Sequence, residues 1–167
     1  MQLSKFTYDN YSQIDQLLGG DNLVARGYFI TLRFMMSDKY NRYLSTEHIE
    51  QNTNYFFHHL NSRLFGRAYS KRRRKKPRSK LQHITVCHQH KTNIFQSHIH
   101  SIILRPLNTS HNKFVDRIHT SWGKTLFGYV GDDNHGVDIQ KIYSRGVIPY
   151  LFNEQGYFDS LAIALSL

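Results

Sequence analysis

Two histidines separated by one isoleucine lie in the part of the chain with the clearest potential for chemistry. His98 and His100 belong to the stretch SHIHSIILRP, residues 97–106, whose apolar run is typical of a strand. Side chains alternate between the two faces of a strand, so both imidazoles are expected on one face and Ile99 on the other. Two imidazoles one pleat apart can chelate a divalent metal ion, although two surface histidines on a half-exposed strand would give the same pattern.

The preceding segment supplies further imidazoles. LQHITVCH, residues 81–88, predicts a strand, and a turn near residues 90–93 makes it the antiparallel partner of the strand with His98. His88 or His90 then approaches the pair as a third ligand, and we prefer His90 by its spacing. Three protein ligands leave coordination positions open for water or a phosphate oxygen. Imidazole ligation suits Mn²⁺, Zn²⁺, Co²⁺ or Ni²⁺ better than Mg²⁺ alone, and a structural zinc site built mostly from histidine is the alternative.

Positive charge is the strongest bulk signal of the sequence. The chain has 22 Lys and Arg against 12 Asp and Glu, for a net charge of +10. Many of these cations lie in residues 67–80, which predict a solvated basic loop with a polyanionic partner such as a phosphate backbone. A nuclear-import signal or a solubilising loop are the alternatives. The cations expected to contact this partner are Arg72, Arg73, Arg74, Lys75, Lys76, Arg78 and Lys80.

Length and composition favour one domain over residues 1–167 with a sizeable core, since 40% of the residues are hydrophobic. The single cysteine, Cys87, excludes an internal disulfide and fits a reducing cytosol. No run approaches the roughly 18 apolar residues that cross a bilayer, and the N-terminus lacks the apolar segment of a signal peptide. We therefore expect a cytoplasmic protein without a membrane partner.

The pattern of secondary structure predicts an α+β fold, with a central antiparallel β-sheet and flanking helices. The order β-α-β-β-α-β-α follows an N-terminal extension over residues 1–25. Strands are expected at residues 27–36, 81–88, 94–104 and 137–143, and helices within residues 45–66, 112–128 and 144–156.

Two polar residues alternate along the first expected strand. Thr31 and Arg33 share one face of it. That face could line a site, but we interpret it as an ordinary sheet exterior.

Three motifs, in their order and spacing, resemble those of the HUH endonucleases, and within them the rolling-circle replication initiator (Rep) proteins. FITLRF, residues 29–34, is similar to the first motif of that family. SHIHSIILRP is similar to the second, a His-hydrophobe-His strand that supplies metal ligands. VDIQKIYSRGVIPYLFNE, residues 137–154, resembles the approach to the third, a tyrosine on a helix. The resemblance extends over residues 26–155 and implies a ferredoxin-like or RRM-like core.

The resemblance implies a metal-dependent, site-specific endonuclease of single-stranded DNA. His98 and His100 would hold Mn²⁺ or Mg²⁺, and Tyr150 would attack the scissile phosphate to form a 5′-phosphotyrosine link. The substrate would be single-stranded DNA or a DNA hairpin at the origin of a plasmid, phage or mobile element, and no small-molecule substrate is expected. Because no phosphate-loop motif is present, a host helicase would unwind the duplex. Tyr143 and Tyr157 are the alternative nucleophiles.

The chain departs from the family pattern at two points, and two other functions stay open. Asn153 stands where the family usually has lysine, and histidines replace the acidic residue that many relatives use as third ligand. A single-tyrosine HUH transposase is one alternative, but such enzymes often place Gln four residues after the nucleophile, where this chain has Glu154. A non-catalytic nucleic-acid-binding protein is the other.

Overall fold

The computed structural model describes residues 14–16, 18, 20–66, 69, 80–90, 92–129, 136–152 and 158–166. These residues form an antiparallel sheet of five strands with helices on both faces, which confirms the predicted α+β class. The strands are β1 Gly27–Arg33, β2 His83–His90, β3 His98–Leu104, β4 Val137–Lys141 and β5 Phe158–Ser166. The helices are α1 Asp21–Arg26, α2 Thr46–Phe65, α3 His111–Trp122 and α4 Val147–Phe152.

The order of strands across the sheet is β4-β1-β3-β2-β5, so that β3 is central. A central strand is covered on both faces, which explains why every residue from Ile99 to Leu104 is buried. β1 pairs with β3 in a register that sets Thr31 opposite His100 and Arg33 opposite His98. The hairpin partner β2 sets His88 opposite His98.

One face of the sheet packs against the two long helices α2 and α3. Ile30 and Leu32 of β1 contact a buried cluster that includes Phe56 of α2 and Trp122 of α3. Burying a side chain of this size stabilises the fold by roughly 1.5–3 kcal/mol. The indole Nε1 of Trp122 also donates a hydrogen bond of 3.1 Å to the carbonyl of Arg33, so α3 is anchored to the end of β1.

The other face packs against the short helices α1 and α4. Phe29 and Ile102 of the sheet join Leu23 of α1 and Leu151 of α4 in a second apolar cluster. Arg145, just before α4, forms ion pairs with Asp15 and Asp21 at 3.1 and 2.8 Å. The segment predicted as an N-terminal extension therefore contributes helix α1 and part of this second core.

Capping residues explain both ends of the longest helix, which lies within the range predicted for it. Ser45 is the N-cap of α2 and its hydroxyl accepts a hydrogen bond from the backbone N–H of His48. The helix ends at Phe65, before Gly66, whose φ of 78° is a conformation that favours glycine.

Two predictions about the sheet were wrong in part. The second strand of the hairpin begins at His98 and not at residue 94, because Ile94–Gln96 form a 3₁₀ turn that Asn93 caps through the backbone N–H of Phe95. The fifth strand, Phe158–Ser166, was not predicted at all. It pairs with β2, so β2 is an inner strand and not an edge.

Within the described part of the chain, no helix combines the length and the apolar character that a membrane span requires.

A buried imidazole in the first core predicts a pH-dependent stability. His83 stacks on Phe57 of α2 at 3.7 Å, and burial, followed by the charge of Lys80, lowers the pKa of His83 from 6.5 to about 3. Between these two values the unfolded chain binds a proton that the folded chain excludes, so stability falls as the pH falls. We expect the free energy of unfolding to decrease by roughly 1 kcal/mol per pH unit from this group between about pH 6 and pH 4.

The measurement is urea unfolding at several pH values. The variant His83→Phe preserves the stacked ring but cannot titrate. Its free energy of unfolding should therefore depend less steeply on pH than that of the wild type. An identical slope in the wild type and the variant would contradict this assignment.

Candidate functional site

His98 and His100 lie on the same face of β3, as their spacing predicts, and their rings converge. Their Nε2 atoms are 3.1 Å apart, and the ring planes meet at 71°. His100 is buried and His98 is half-buried, at the end of the strand. Metal–nitrogen bonds are about 2.0–2.1 Å long, so two adjacent ligand nitrogens of one cation are roughly 3 Å apart. The separation of the two Nε2 atoms matches this value.

The hydrogen bonds on the other side of each ring orient these nitrogens. Nδ1 of His98 is 3.1 Å from the carbonyl of Gln96, which can only accept, so Nδ1 carries the proton and Nε2 carries the lone pair. Nδ1 of His100 is 3.0 Å from the hydroxyl of Thr31, which can either accept or donate. When Thr31 accepts, Nε2 of His100 also presents a lone pair, as a metal ligand requires.

His88 is the third imidazole beside the pair. It is buried, and its ring centroid is 5.2 Å from that of His98 and 5.1 Å from that of His100. Its Nε2 lies 3.3 Å from the carbonyl of Leu151, so Nε2 donates to α4 and Nδ1 is the nitrogen with the lone pair. His88 therefore links the histidine pair on the sheet to helix α4.

His90, the preferred third ligand by its spacing, is the last residue of β2. Its Nδ1 accepts hydrogen bonds from the backbone N–H groups of Thr92 and Asn93, at 3.3 and 3.0 Å. The strand alternation puts His90 on the face of His88, but the ring is turned to the loop that follows it. The role of third ligand stays a prediction for both residues, and His88 has the closer geometry.

Tyr150 lies on α4 above the same face of the sheet. Its ring packs edge-on against Phe29 with centroids 5.5 Å apart, and its centroid is 6.1 Å from that of His100. The side chain is 51% exposed, so its hydroxyl is accessible to a substrate. The carbonyl of the next residue, Leu151, is the group that accepts from His88, so this turn of the helix is fixed to the histidine cluster.

The alternative tyrosines have other positions. Tyr143 follows β4 and is 80% exposed. Lys141 at the end of β4 pairs with Tyr28 near the start of β1, whereas His98 pairs with Arg33 at the end of β1. Tyr143 is therefore at the opposite end of the sheet from His98. Tyr157 and Asn153 lie outside the described residues.

Two residues of β1 belong to the site, which the sequence interpretation as sheet exterior missed. Thr31 contacts His100 through its hydroxyl, and the exposed Arg33 is the cross-strand neighbour of His98 on the same face. Directly opposite residues of an antiparallel pair have Cβ atoms about 4.5–5.5 Å apart. The period of two places these side chains on one face, but nothing in the sequence shows that this face is the one with the histidines.

The geometry of His98 and His100 is compatible with a divalent cation bound between their Nε2 atoms. Two mutually facing imidazole nitrogens form the part of the site that is already arranged, and His98 and His100 each make a second contact that orients the ring. No three His, Cys, Asp or Glu side chains converge on one cation position among the residues the structure describes. A complete site therefore needs either a rotation of His88 or oxygen ligands from water and substrate.

The cations of the predicted basic loop are not part of the described site. Arg72, Arg73, Arg74, Lys75, Lys76 and Arg78 lie outside the described residues. Lys80 is described and half-buried, just before β2. Since His83, at that end of β2, pairs with Ile103, Lys80 is at the other end of the hairpin from His98.

Comparison with known proteins gives no relative: no family model matches this chain, and searches of curated proteins and of solved structures find no match either.

The convergence of the imidazoles predicts which histidine contributes to metal binding. His98→Ala removes one of the two facing nitrogens and should weaken binding of Mn²⁺ by more than about tenfold, the lower end of what even outer-shell changes do. Isothermal titration with Mn²⁺ and the visible absorption of Co²⁺ measure the affinity and the nitrogen ligation.

His119→Ala is the matched control, because His119 is also half-buried but lies on α3, on the other face of the sheet. The affinity of this variant for Mn²⁺ should stay near that of the wild type. Equal losses in the two variants would show that the effect is not specific to the pair, and unchanged affinity in His98→Ala would exclude the pair as a metal site.

Proposed function

We propose that this protein is a metal-dependent endonuclease and strand transferase of single-stranded DNA that acts through a covalent phosphotyrosine. The observation that carries the proposal is the proximity of Tyr150 to a pair of imidazoles whose Nε2 atoms are 3.1 Å apart. A chelating pair and a phenol on a helix at one face of a sheet are the parts that such a reaction needs. The three motifs that resemble the HUH replication initiators support the same assignment.

The reaction is a transesterification in which Tyr150 is the nucleophile. Its phenolate oxygen bonds to phosphorus while the bond from phosphorus to the 3′ oxygen breaks, and the leaving 3′ oxygen takes up a proton. The product is a 5′-phosphotyrosine and a 3′-hydroxyl. In the reverse step, a 3′-hydroxyl attacks the phosphotyrosine and rejoins a strand. Conservation of the bond in this way suits the initiation of rolling-circle replication of a plasmid, phage or mobile element.

The chain supplies orientation and charge around the phosphate. A bound divalent cation, Mn²⁺ or Mg²⁺, would supply Lewis-acid polarisation of a non-bridging oxygen. His98 and His100 would hold that cation, and the hydroxyl of Thr31 keeps the ring of His100 oriented. Arg33 beside His98 can bind a phosphate oxygen, so the described residues offer a positive charge there, although this chain has Asn153 at the sequence position where the family usually has lysine.

Removal of the phenol oxygen tests the nucleophile. We expect Tyr150→Phe to abolish a covalent adduct with single-stranded DNA, because no oxygen remains to bond to phosphorus, while DNA binding persists. Incubation with Mn²⁺ and a pool of single-stranded oligonucleotides, followed by denaturing electrophoresis, detects the adduct. EDTA should prevent its formation.

Tyr143→Phe is the matched control, since Tyr143 is exposed at the other end of the sheet, and its adduct should be unchanged. An adduct that persists in Tyr150→Phe would identify another nucleophile. Binding of DNA without an adduct under any divalent metal would favour the non-catalytic alternative.

Neutralising the side chain of Arg33, beside His98, tests whether its positive charge contributes to catalysis. Arg33→Gln should slow adduct formation by about 100-fold, as the loss of one preorganised donor to a developing oxyanion does. The same change at Arg63, exposed on α2 across the sheet, removes equal charge and serves as control. Single-turnover rates at saturating oligonucleotide separate this effect from weaker binding. Equal rates for the two variants would show that Arg33 contributes only to general charge.

A further inference from the structure

The loop between β1 and α2, residues 35–44, is a rigid turn that we call the tyrosine loop. Asp38 is buried at its base, and its carboxylate accepts hydrogen bonds from the backbone N–H groups of Tyr40 and Arg42, both at 2.9 Å. The guanidinium of Arg42 adds an ion pair at 2.6 Å. Burial alone would raise the pKa of Asp38, but these partners outweigh it and hold the pKa below its usual value.

The backbone of the tyrosine loop is also closed on itself. Ser37 and Tyr43 form an antiparallel bridge, and the N–H of Leu44 donates to the carbonyl of Met36. Asn41 turns the chain at a φ of 59°, a conformation that Asn tolerates better than most residues. The loop therefore presents its side chains from a fixed frame.

The side chains at the tip are aromatic and exposed. Tyr40 is 63% exposed and Tyr43 is 71% exposed. Two cations flank the first ring: Nζ of Lys39 is 5.0 Å from the centroid of Tyr40, and the guanidinium carbon of Arg42 is 5.3 Å from it. Exposed rings with cations beside them offer stacking surfaces for bases and charge for the phosphates between those bases.

The loop leaves the sheet at the end where the histidine pair lies. Arg33, two residues before the loop begins, is the cross-strand neighbour of His98. The N–H of Tyr129, another exposed tyrosine, donates to the carbonyl of Arg33, which adds a third ring at this end of the sheet. A single DNA strand with one phosphate at the histidine pair can therefore continue over this end of the sheet towards the tyrosine loop.

We propose that the tyrosine loop is a binding platform for single-stranded DNA, in which Tyr40 and Tyr43 stack on bases and Lys39 contacts the phosphates. This inference rests on the proposed function for the course of the DNA strand, and it assigns the flanking nucleotides to residues outside the basic segment 67–80. The closed backbone favours this role, because the hydrogen bonds of Asp38 already hold the segment that carries both rings before DNA binds. Stacking does not discriminate strongly among bases, so the platform contributes affinity more than sequence preference.

The test measures binding apart from catalysis. All variants carry Tyr150→Phe and are titrated in EDTA against a fluorescent 20-nucleotide oligodeoxythymidine, with fluorescence anisotropy as the readout. Tyr40→Ala and Tyr43→Ala should each raise Kd by about tenfold, whereas Tyr40→Phe and Tyr43→Phe should stay near the parent protein because they keep the ring. Thermal unfolding verifies that each variant is folded.

Tyr55→Ala is the control, because Tyr55 is an exposed ring, at 49%, on the long helix α2. Unchanged Kd in both alanine variants of the loop, or an equal loss in Tyr55→Ala, would overturn the platform. Equally strong competition by duplex DNA would also overturn it, because paired bases do not offer their faces.

The adduct assay keeps this inference distinct from the proposed function. With the native Tyr150, an adduct that forms while Tyr40→Ala and Tyr43→Ala bind normally contradicts only the platform. Weakened binding in those variants, together with no adduct from the protein that has both the native loop and the native Tyr150, supports the platform and contradicts only the nuclease.

Discussion

The facing imidazole nitrogens of His98 and His100 are the constraint around which the candidate site is built. A carbonyl acceptor at Nδ1 of His98 leaves its Nε2 with a lone pair, and that lone pair is directed at Nε2 of His100. Two such lone pairs at 3.1 Å repel unless a proton or a cation lies between them. The arrangement persists because β3 is the central strand, where packing and pairing on both sides leave the rings few other orientations.

The two cores of the domain divide the work of holding this geometry. The core with Trp122 and α2 packs on the face of the sheet opposite the histidines, and Trp122 fixes the end of β1 by donating to the carbonyl of Arg33. The core with Phe29 and α4 lies on the face of the histidines and carries Tyr150 on a short helix. A helix of six residues has little stability of its own, so its position depends on Leu151 in the second apolar cluster and on the hydrogen bond to His88.

Charge is arranged at two levels on this protein. The net charge of +10 attracts polyanions at a distance, which is an effect of the whole chain. Arg33 next to His98, and Lys39 beside the ring of Tyr40, are cations at defined positions at one end of the sheet. Cations at defined positions orient a phosphate backbone, whereas a solvated basic segment mainly raises the rate of encounter.

The amino-acid sequence by itself determined the features that depend on local periodicity. The alternation of His98 and His100, the ends of the helix Thr46–Phe65 and the α+β order all follow from spacing and from capping residues. A motif resemblance in the sequence predicted Tyr150 as the candidate nucleophile, but it did not give the distance of Tyr150 from the histidines. Only the tertiary structure decided that His88 contacts the pair while His90 turns into the loop, and that Thr31 and Arg33 face the site. The physical reason is that these relations depend on the register between strands that are distant in sequence. They also depend on a fifth strand, Phe158–Ser166, and its local sequence does not specify that it pairs with β2.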